Sequence, residues 1–144
     1  MSDTPDSFGS LDEEYRTTDF WVDGPVGRFA IRIGEMSAPL EDLLASAGAT
    51  AWAYITACNP GSQRLTNEAN AKRMRELEKD VCDRYVFHNG EGIGRDERWK
   101  EPSLLILGID RASARQLALR YQQNAFVFGN RGEPASLDWT KPGE

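Results

Sequence analysis

Apolar positions recur along this chain with two different periods, and these periods predict its strands and helices. Short apolar or alternating runs predict strands at 15–22, 28–33, 51–57, 84–88, 103–109, 125–128 and 135–139. Apolar residues spaced by three and four predict helices over 39–47, 66–83 and 110–121. Gly48 is placed to end the first helix, and Thr66 and Asp110 to cap the other two. The glycine-rich stretch 89–102 is predicted to be a long loop that could act as a lid.

The order of these elements predicts an α/β fold, with α+β as the alternative. We expect one globular domain over 13–139, with a flexible arm at 1–12, a tail at 140–144, an N-terminal hairpin and about three helices. A helix that joins two strands of one sheet normally makes them parallel. The strands at 51–57 and 84–88 should therefore run in the same direction, as should those at 103–109 and 125–128. A direct loop favours an antiparallel arrangement of 84–88 and 103–109, so we expect a mixed sheet.

Three short polar blocks adjoin the most apolar strands, at 59–62, 99–102 and 122–124. With the strand directions predicted above, all three blocks lie at one edge of the sheet. There they would form a pocket for a small polar or anionic molecule, such as a metabolite or nucleotide. The predicted ligand-binding residues are Asn59, Ser62, Asn70, Arg73, Trp99, Glu101, Gln123 and Asn124.

Two other interpretations of these residues stay open. The residue types in these blocks are also common in turns and at helix ends, where their role would be purely structural. In that case the protein could be an interaction or regulatory module without catalysis, with a protein partner. The aromatic hairpin would then present Phe20, Trp21 and Phe29 as an exposed patch.

Chemistry-bearing residues are few, and the sequence contains no established catalytic motif. Glu101 and His88, the only histidine, are the candidates for acid or base catalysis. Cys58 follows a central strand, but thiolate activation would need a positive neighbour. The Gly90, Gly92 and Gly94 spacing does not match a nucleotide-binding loop, so no cofactor is expected. Two separated cysteines and one histidine do not predict a metal site either.

Composition excludes several classes of function. The net charge is -6 and the pI about 4.9, which argues against nucleic acid binding through phosphate neutralisation. No apolar stretch is long enough for a membrane helix, and residues 1–6 lack the features of a signal peptide. A cytoplasmic location without membrane attachment is therefore expected.

Several motifs together resemble one uncharacterised bacterial family. They are Tyr15-Arg16-x-Thr18, Ile31-Arg32-Ile33-Gly34, Ala53 to Ala57 followed by x-Asn59-Pro60-x-Ser62, Asn70 with Arg73, Glu101-Pro102-Ser103 and Gln123-Asn124-Ala125. In this combination, over about residues 14–138, the chain resembles the family called domain of unknown function thirty-two ninety-three. The resemblance implies a small bacterial cytosolic domain and no particular reaction. Cys58 departs from the aromatic residue of that pattern, which weakens a catalytic role for the thiol.

Overall fold

The computed structural model describes residues 11–95 and 97–140. Among these residues, 11–16 form a helix, which we call α1. The strands are β1 (Asp19–Gly24), β2 (Gly27–Ile31), β3 (Ala51–Ile55), β4 (Val86–Ile93), β5 (Lys100–Leu107), β6 (Ala125–Asn130) and β7 (Ser136–Trp139). The other helices are α2 (Ala38–Ala47), α3 (Asn67–Cys82) and α4 (Arg111–Arg120), and Pro60–Ser62 forms a short 3-10 turn. The predicted mixture of helices and strands is thus confirmed.

The seven strands form one sheet in the order β2-β1-β4-β5-β3-β6-β7, and every neighbouring pair is antiparallel. The predicted directions are correct, because β3 and β4 run the same way, as do β5 and β6. The predicted mixed sheet is wrong, because an antiparallel strand lies between the members of each such pair. β5 separates β3 from β4, and β3 separates β5 from β6. The segment β3 to β6 therefore has the order of a split βαββαβ motif, extended at both edges.

Both faces of the central strands are buried. On one face, α3 and α4 pack against β3, β5 and β6 through a cluster that includes Leu77, Ile106 and Phe126. On the other face, α2 and the β1–β2 hairpin cover a second cluster centred on Trp52. The edges of the sheet come together where Ile33 bridges to Ala135, which curls the sheet into a half-barrel. Burial on both faces explains why these strands are almost continuously apolar.

Local sequence signals mark the helix boundaries correctly. The side chains of Ser37, Thr66 and Asp110 accept hydrogen bonds from backbone N–H groups in the first turns of α2, α3 and α4. Gly48 ends α2 with a φ of 65°, a conformation that glycine adopts without steric cost. These caps satisfy donors and acceptors that a helix end would otherwise leave unpaired.

The predicted long loop at 89–102 is wrong, because most of it belongs to β4 and β5. Their ladder pairs Gly90 with Ser103 and Gly92 with Glu101, leaving only residues 94–99 between the strands. A Cβ at Gly90 would lie 2.0 Å from the Trp21 carbonyl oxygen of the neighbouring strand. This glycine therefore permits close strand pairing rather than loop motion.

The predicted N-terminal segment also needs correction. Residues 11 and 12 were expected in a flexible arm and residues 15 and 16 in a strand, but all four are helical. Arg16 pairs with Asp12 at 2.8 Å, four residues apart, which is a typical helical ion pair. The rest of the predicted arm, residues 1–10, and residues 141–144 of the predicted tail lie outside the described residues.

Candidate functional site

The three polar blocks meet at one edge of the sheet, as their sequence positions predict. Asn59 Nδ2 donates to Glu101 Oε2 at 2.8 Å, and Gln123 Nε2 donates to the Cys58 carbonyl at 3.0 Å. The Gly61 N–H also donates to the Gln122 carbonyl at 2.7 Å. The blocks meet because β5 and β6 are both antiparallel to β3, so their first residues lie beside its last.

Asn59 holds this edge together. Its backbone has a φ of 49°, a left-handed conformation in which asparagine is enriched. Its side-chain oxygen accepts from the Leu65 N–H and from Asn70 Nδ2, both at 2.9 Å, and its own N–H donates to Asn70 Oδ1. One side chain therefore links the end of β3, the start of α3 and the carboxylate of Glu101.

A cavity of about 230 Å³ opens beside this network. Residues from α1, the loop after β3, the start of β5 and the loop before β6 line it: Leu11, Glu14, Tyr15, Thr18, Asn59, Ser62, Trp99, Glu101 and Gln123. A smaller apolar recess of about 40 Å³ shares Tyr15, Thr18, Trp99, Glu101 and Gln123 with it and reaches toward Phe126 and Val127. We call the larger space the inner cavity.

Glu101 is the distinctive group in the wall of the inner cavity. Burial raises the pKa of its carboxyl from an ordinary 4.5 to about 7. Hydrogen bonds from Asn59 and Trp99, and the charge of Arg64, oppose this rise without cancelling it. Glu101 therefore exchanges its proton near neutral pH, in the range where a binding or proton-transferring carboxylate is useful.

Two further groups present unpaired oxygens to the inner cavity. Gln123 is only 7% exposed, and its Nε2 donates to the Cys58 and Tyr121 carbonyls. No donor among the described residues reaches its Oε1, nor does the Tyr15 hydroxyl have a partner there. Burial and the nearby charges of Glu101 and Glu14 raise the pKa of Tyr15, so its hydroxyl remains protonated. These oxygens can accept hydrogen bonds, and the hydroxyl can also donate one.

Trp99 forms a flat wall beside Glu101. The guanidinium carbon of Arg64 lies 5.2 Å from the centre of its ring, within the range of a cation–π contact. This contact holds the indole in place beside Glu101. Trp99 lines both cavities named above.

Three predicted ligand-binding residues support the wall instead of forming it. Asn70 is paired with Asn59, and Asn124 Nδ2 donates to Ser62 Oγ at 3.0 Å. Arg73 Nε donates to the Ala57 carbonyl at 2.5 Å and its Nη2 to the Tyr121 carbonyl at 2.6 Å. Arg73 thus ties the end of β3 to the end of α4, and it is not among the residues lining the inner cavity.

We expect Arg73→Met to lower the free energy of unfolding by about 2 kcal/mol, because two carbonyls lose charged donors. The pKa of Glu101 should stay near 7, since Arg73 is not among the charges that act on it. Urea unfolding and carboxyl NMR titration measure the two effects. Arg75→Met, at an exposed position on the same helix, is the control for charge removal. A large rise in the pKa of Glu101 in R73M, but not in R75M, would show that Arg73 does act on the carboxylate of the site.

The other catalytic candidates lie elsewhere or are poorly placed. His88 pairs with Leu105, four positions along β5 from Glu101, or roughly 13 Å at the usual rise per residue. Burial lowers the pKa of this imidazole, and it does not line the inner cavity. Cys58 is buried, and burial raises the pKa of its thiol, the opposite of what an active nucleophile needs.

Sequence reasoning missed the contribution of α1, which supplies Glu14 and Tyr15, with Thr18 just after it. The signal was present in the motif Tyr15-Arg16-x-Thr18, but it was assigned to a strand. Within the described residues, no group of three or more His, Cys, Asp or Glu side chains could hold a metal ion. No helix there has the length and apolar character needed to span a membrane.

The chain matches the model of a known protein family. The model of the family described as "Protein of unknown function (DUF3293)" matches residues 55–126, half of the chain. The chain belongs to this family. The DUF3293 match includes Asn59, Glu101 and Gln123 but not α1, and it is shorter than the expected resemblance over 14–138. No curated protein and no solved structure matches the chain.

Proposed function

We propose that the protein binds a small, neutral or cationic molecule through N–H donors in the inner cavity. The observation that carries this proposal is the carboxylate of Glu101, held in the cavity wall by Asn59 and flanked by the open oxygens of Gln123 and Tyr15. All three groups accept hydrogen bonds. A ligand with an amino, amide or amidine group would satisfy them together.

The charge of the lining supports a change from the ligand expected from sequence. Glu14 and Glu101 line the inner cavity, and no Lys or Arg does so among the described residues. An anion would be repelled by these carboxylates in a partly desolvated space. Our proposal therefore keeps the small polar ligand expected from the sequence. It replaces the expected anion by a cation or a neutral hydrogen-bond donor.

Size limits the ligand further. About 230 Å³ is less than the roughly 300–1,000 Å³ typical of drug-sized sites. The part of the ligand that the inner cavity encloses therefore has few non-hydrogen atoms. A whole nucleotide would exceed this space and would bring phosphate charge. A small amine, amide or single heterocycle fits better.

The rival interaction module has less support. Phe20 is buried at 6% exposure, and Phe29 packs against the core around Trp52. Trp21 is half-buried, with the Arg28 guanidinium 4.9 Å from the centre of its ring. The hairpin does not offer the contiguous apolar patch that the rival hypothesis requires.

Three probes of matched size test the charge preference: propylammonium, propionamide and propionate. We expect the first two, but not propionate, to shift backbone NMR signals of residues around Glu101 at pH 8. Tyr15→Phe should weaken binding by roughly fivefold, the value of one hydrogen bond, because it removes only the unpartnered hydroxyl. Tyr85→Phe, between α3 and β4 and outside the inner cavity, is the matched control. Binding of propionate as tight as that of propylammonium would refute the proposal.

A further inference from the structure

The apolar recess and the inner cavity meet at the side chain of Glu101. Five residues line both spaces, and they come from three separate segments of the chain: Tyr15, Thr18, Trp99, Glu101 and Gln123. Because this set includes Glu101, the carboxylate belongs to the wall of the recess as well as to that of the inner cavity. A nitrogen that binds to the carboxylate therefore lies next to both spaces.

The recess differs from the inner cavity in the chemistry of its own walls. The side chains of Phe20, Ala125, Phe126 and Val127 line the recess alone. The hydroxyl groups that line only the recess each donate to a backbone carbonyl: Tyr54 to Trp21 at 2.7 Å, Thr56 to Pro102 at 2.7 Å and Ser103 to Glu101 at 3.0 Å. Within the described residues, this wall thus leaves no hydroxyl donor unpaired. A space with such walls favours an apolar group over water, which needs several polar partners.

Gly92 keeps this space open beside Glu101. It pairs with Glu101 on β5 and with Phe20 on β1, so the three residues face the same side of the sheet. A Cβ at Gly92 would lie 3.5 Å from the Phe20 ring and 3.8 Å from the methyl group of Thr18, both at ordinary contact distances. The backbone of Gly92 is not left-handed, and no clash like that at Gly90 requires a glycine here. The fold would accept a side chain at this position, and its absence leaves room for a group next to the carboxylate.

We propose that the ligand is an N-methylated amine, with its ammonium nitrogen at Glu101 and its methyl group in the recess. The volume of about 40 Å³ is slightly more than the roughly 30 Å³ that a molecule of water occupies in the liquid, so one methyl-sized group fills it. Because the nitrogen lies where the two spaces meet, a substituent on the nitrogen enters the recess while the rest of the molecule stays in the inner cavity. A secondary ammonium group keeps two N–H donors, one for Glu101 and one for the Tyr15 hydroxyl. This inference rests on the proposed function, because it names the class of molecule that the same site binds.

Three isomeric amines of identical composition test the inference by calorimetric titration at pH 8: N-methylpropylamine, butan-2-amine and butylamine. We expect N-methylpropylammonium to bind about fourfold more tightly than butylammonium, which is the value of one buried methyl group. Gly92→Ala should reduce this preference to about onefold, because the added Cβ takes up space in the recess. Val86→Ile adds a carbon of the same size at an exposed position on the same strand and should keep the preference.

A second measurement locates the methyl group in the wild-type protein and does not depend on how well G92A folds. Val127 lines the recess but not the inner cavity. Intermolecular nuclear Overhauser effects from the N-methyl protons to the Val127 methyl groups are therefore expected in the complex. Their absence at saturation would overturn the inference.

The outcomes separate this inference from the proposed function. Equal affinities of the three isomers, or an unchanged preference in G92A, would refute the N-methyl inference and leave the proposed function standing. Tightest binding of butan-2-amine would place the apolar branch on carbon and would also overturn the inference. If none of the three amines binds, the proposed function itself fails.

Discussion

Asn59→Ala should lower the free energy of unfolding by about 4 kcal/mol, the largest loss that we expect from a substitution at the site. The substitution removes acceptors for Leu65 N–H and Asn70 and the donor to Glu101, each of which stabilises a part-buried group. It also places a Cβ without polar compensation in a left-handed conformation. Chemical denaturation measures the loss. The pKa of Glu101 should rise above about 7 in the variant, because the Asn59 hydrogen bond lowers it.

Two other substitutions at position 59 separate the loss of hydrogen bonds from the cost of the left-handed backbone conformation. Asn59→Gly loses the same hydrogen bonds but tolerates a positive φ, so it should be about 1 kcal/mol more stable than Asn59→Ala. Asn59→Asp keeps the two acceptor bonds and faces Glu101 with a second carboxylate. Its stability relative to wild type should therefore fall as Glu101 ionises with rising pH. A change below about 1 kcal/mol in N59A would show that the Asn59 network contributes little.

Glu101→Gln should stabilise the folded protein at pH 8 and abolish binding of small amines. The folded chain binds a proton at Glu101 with a pKa of about 7, against an ordinary 4.5, so the contribution of Glu101 to wild-type stability is highest at acidic pH. It falls as the pH rises from 4.5 through 7 and is then constant, for a total loss of roughly 3 kcal/mol. The amide introduced in E101Q cannot ionise, so the variant avoids this loss. Between pH 5 and pH 8 the stability advantage of E101Q should grow by about 2.5 kcal/mol.

Urea unfolding of wild type and E101Q across this pH range measures the effect, with Glu35→Gln as the control for removing one carboxylate. Over the same range, wild-type affinity for propylammonium should rise with pH by up to about tenfold for each pH unit below 7, because the ionised carboxylate binds the cation. A constant stability difference between wild type and E101Q would mean that Glu101 titrates at its ordinary value. A group that costs stability at neutral pH and supports binding is typical of functional sites.

Element boundaries that depend on local chemistry were predictable from the sequence. Thr66 and Asp110 accept hydrogen bonds from nearby N–H groups, and Gly48 adopts its left-handed conformation directly after the last turn of α2. These effects involve residues within a few positions of one another. The strand directions were predictable too, because a crossover helix constrains the two strands that it joins.

Features that depend on distant contacts were predicted wrongly. Gly90 and Gly92 looked like a mobile loop, but Gly90 lies against the Trp21 carbonyl, which is far away in sequence. The prediction of a mixed sheet was wrong because two strands that run in the same direction need not be neighbours in the sheet. Here β5 lies between β3 and β4. Residues 11–16 have too few turns to show a reliable period, so residues 11 and 12 were assigned to the arm and residues 15 and 16 to the strand predicted at 15–22.

The sequence by itself determined that the polar blocks at 59–62, 99–102 and 122–124 share one edge of the sheet, because the order of helices and strands sets their ends. Tertiary structure alone decided what each residue does there. It placed Glu101 in a partly desolvated wall, turned Arg73 toward two backbone carbonyls and brought Tyr15 into the inner cavity. The physical reason is that burial and hydrogen-bond partners set the charge and availability of a side chain, and both depend on segments far apart in sequence.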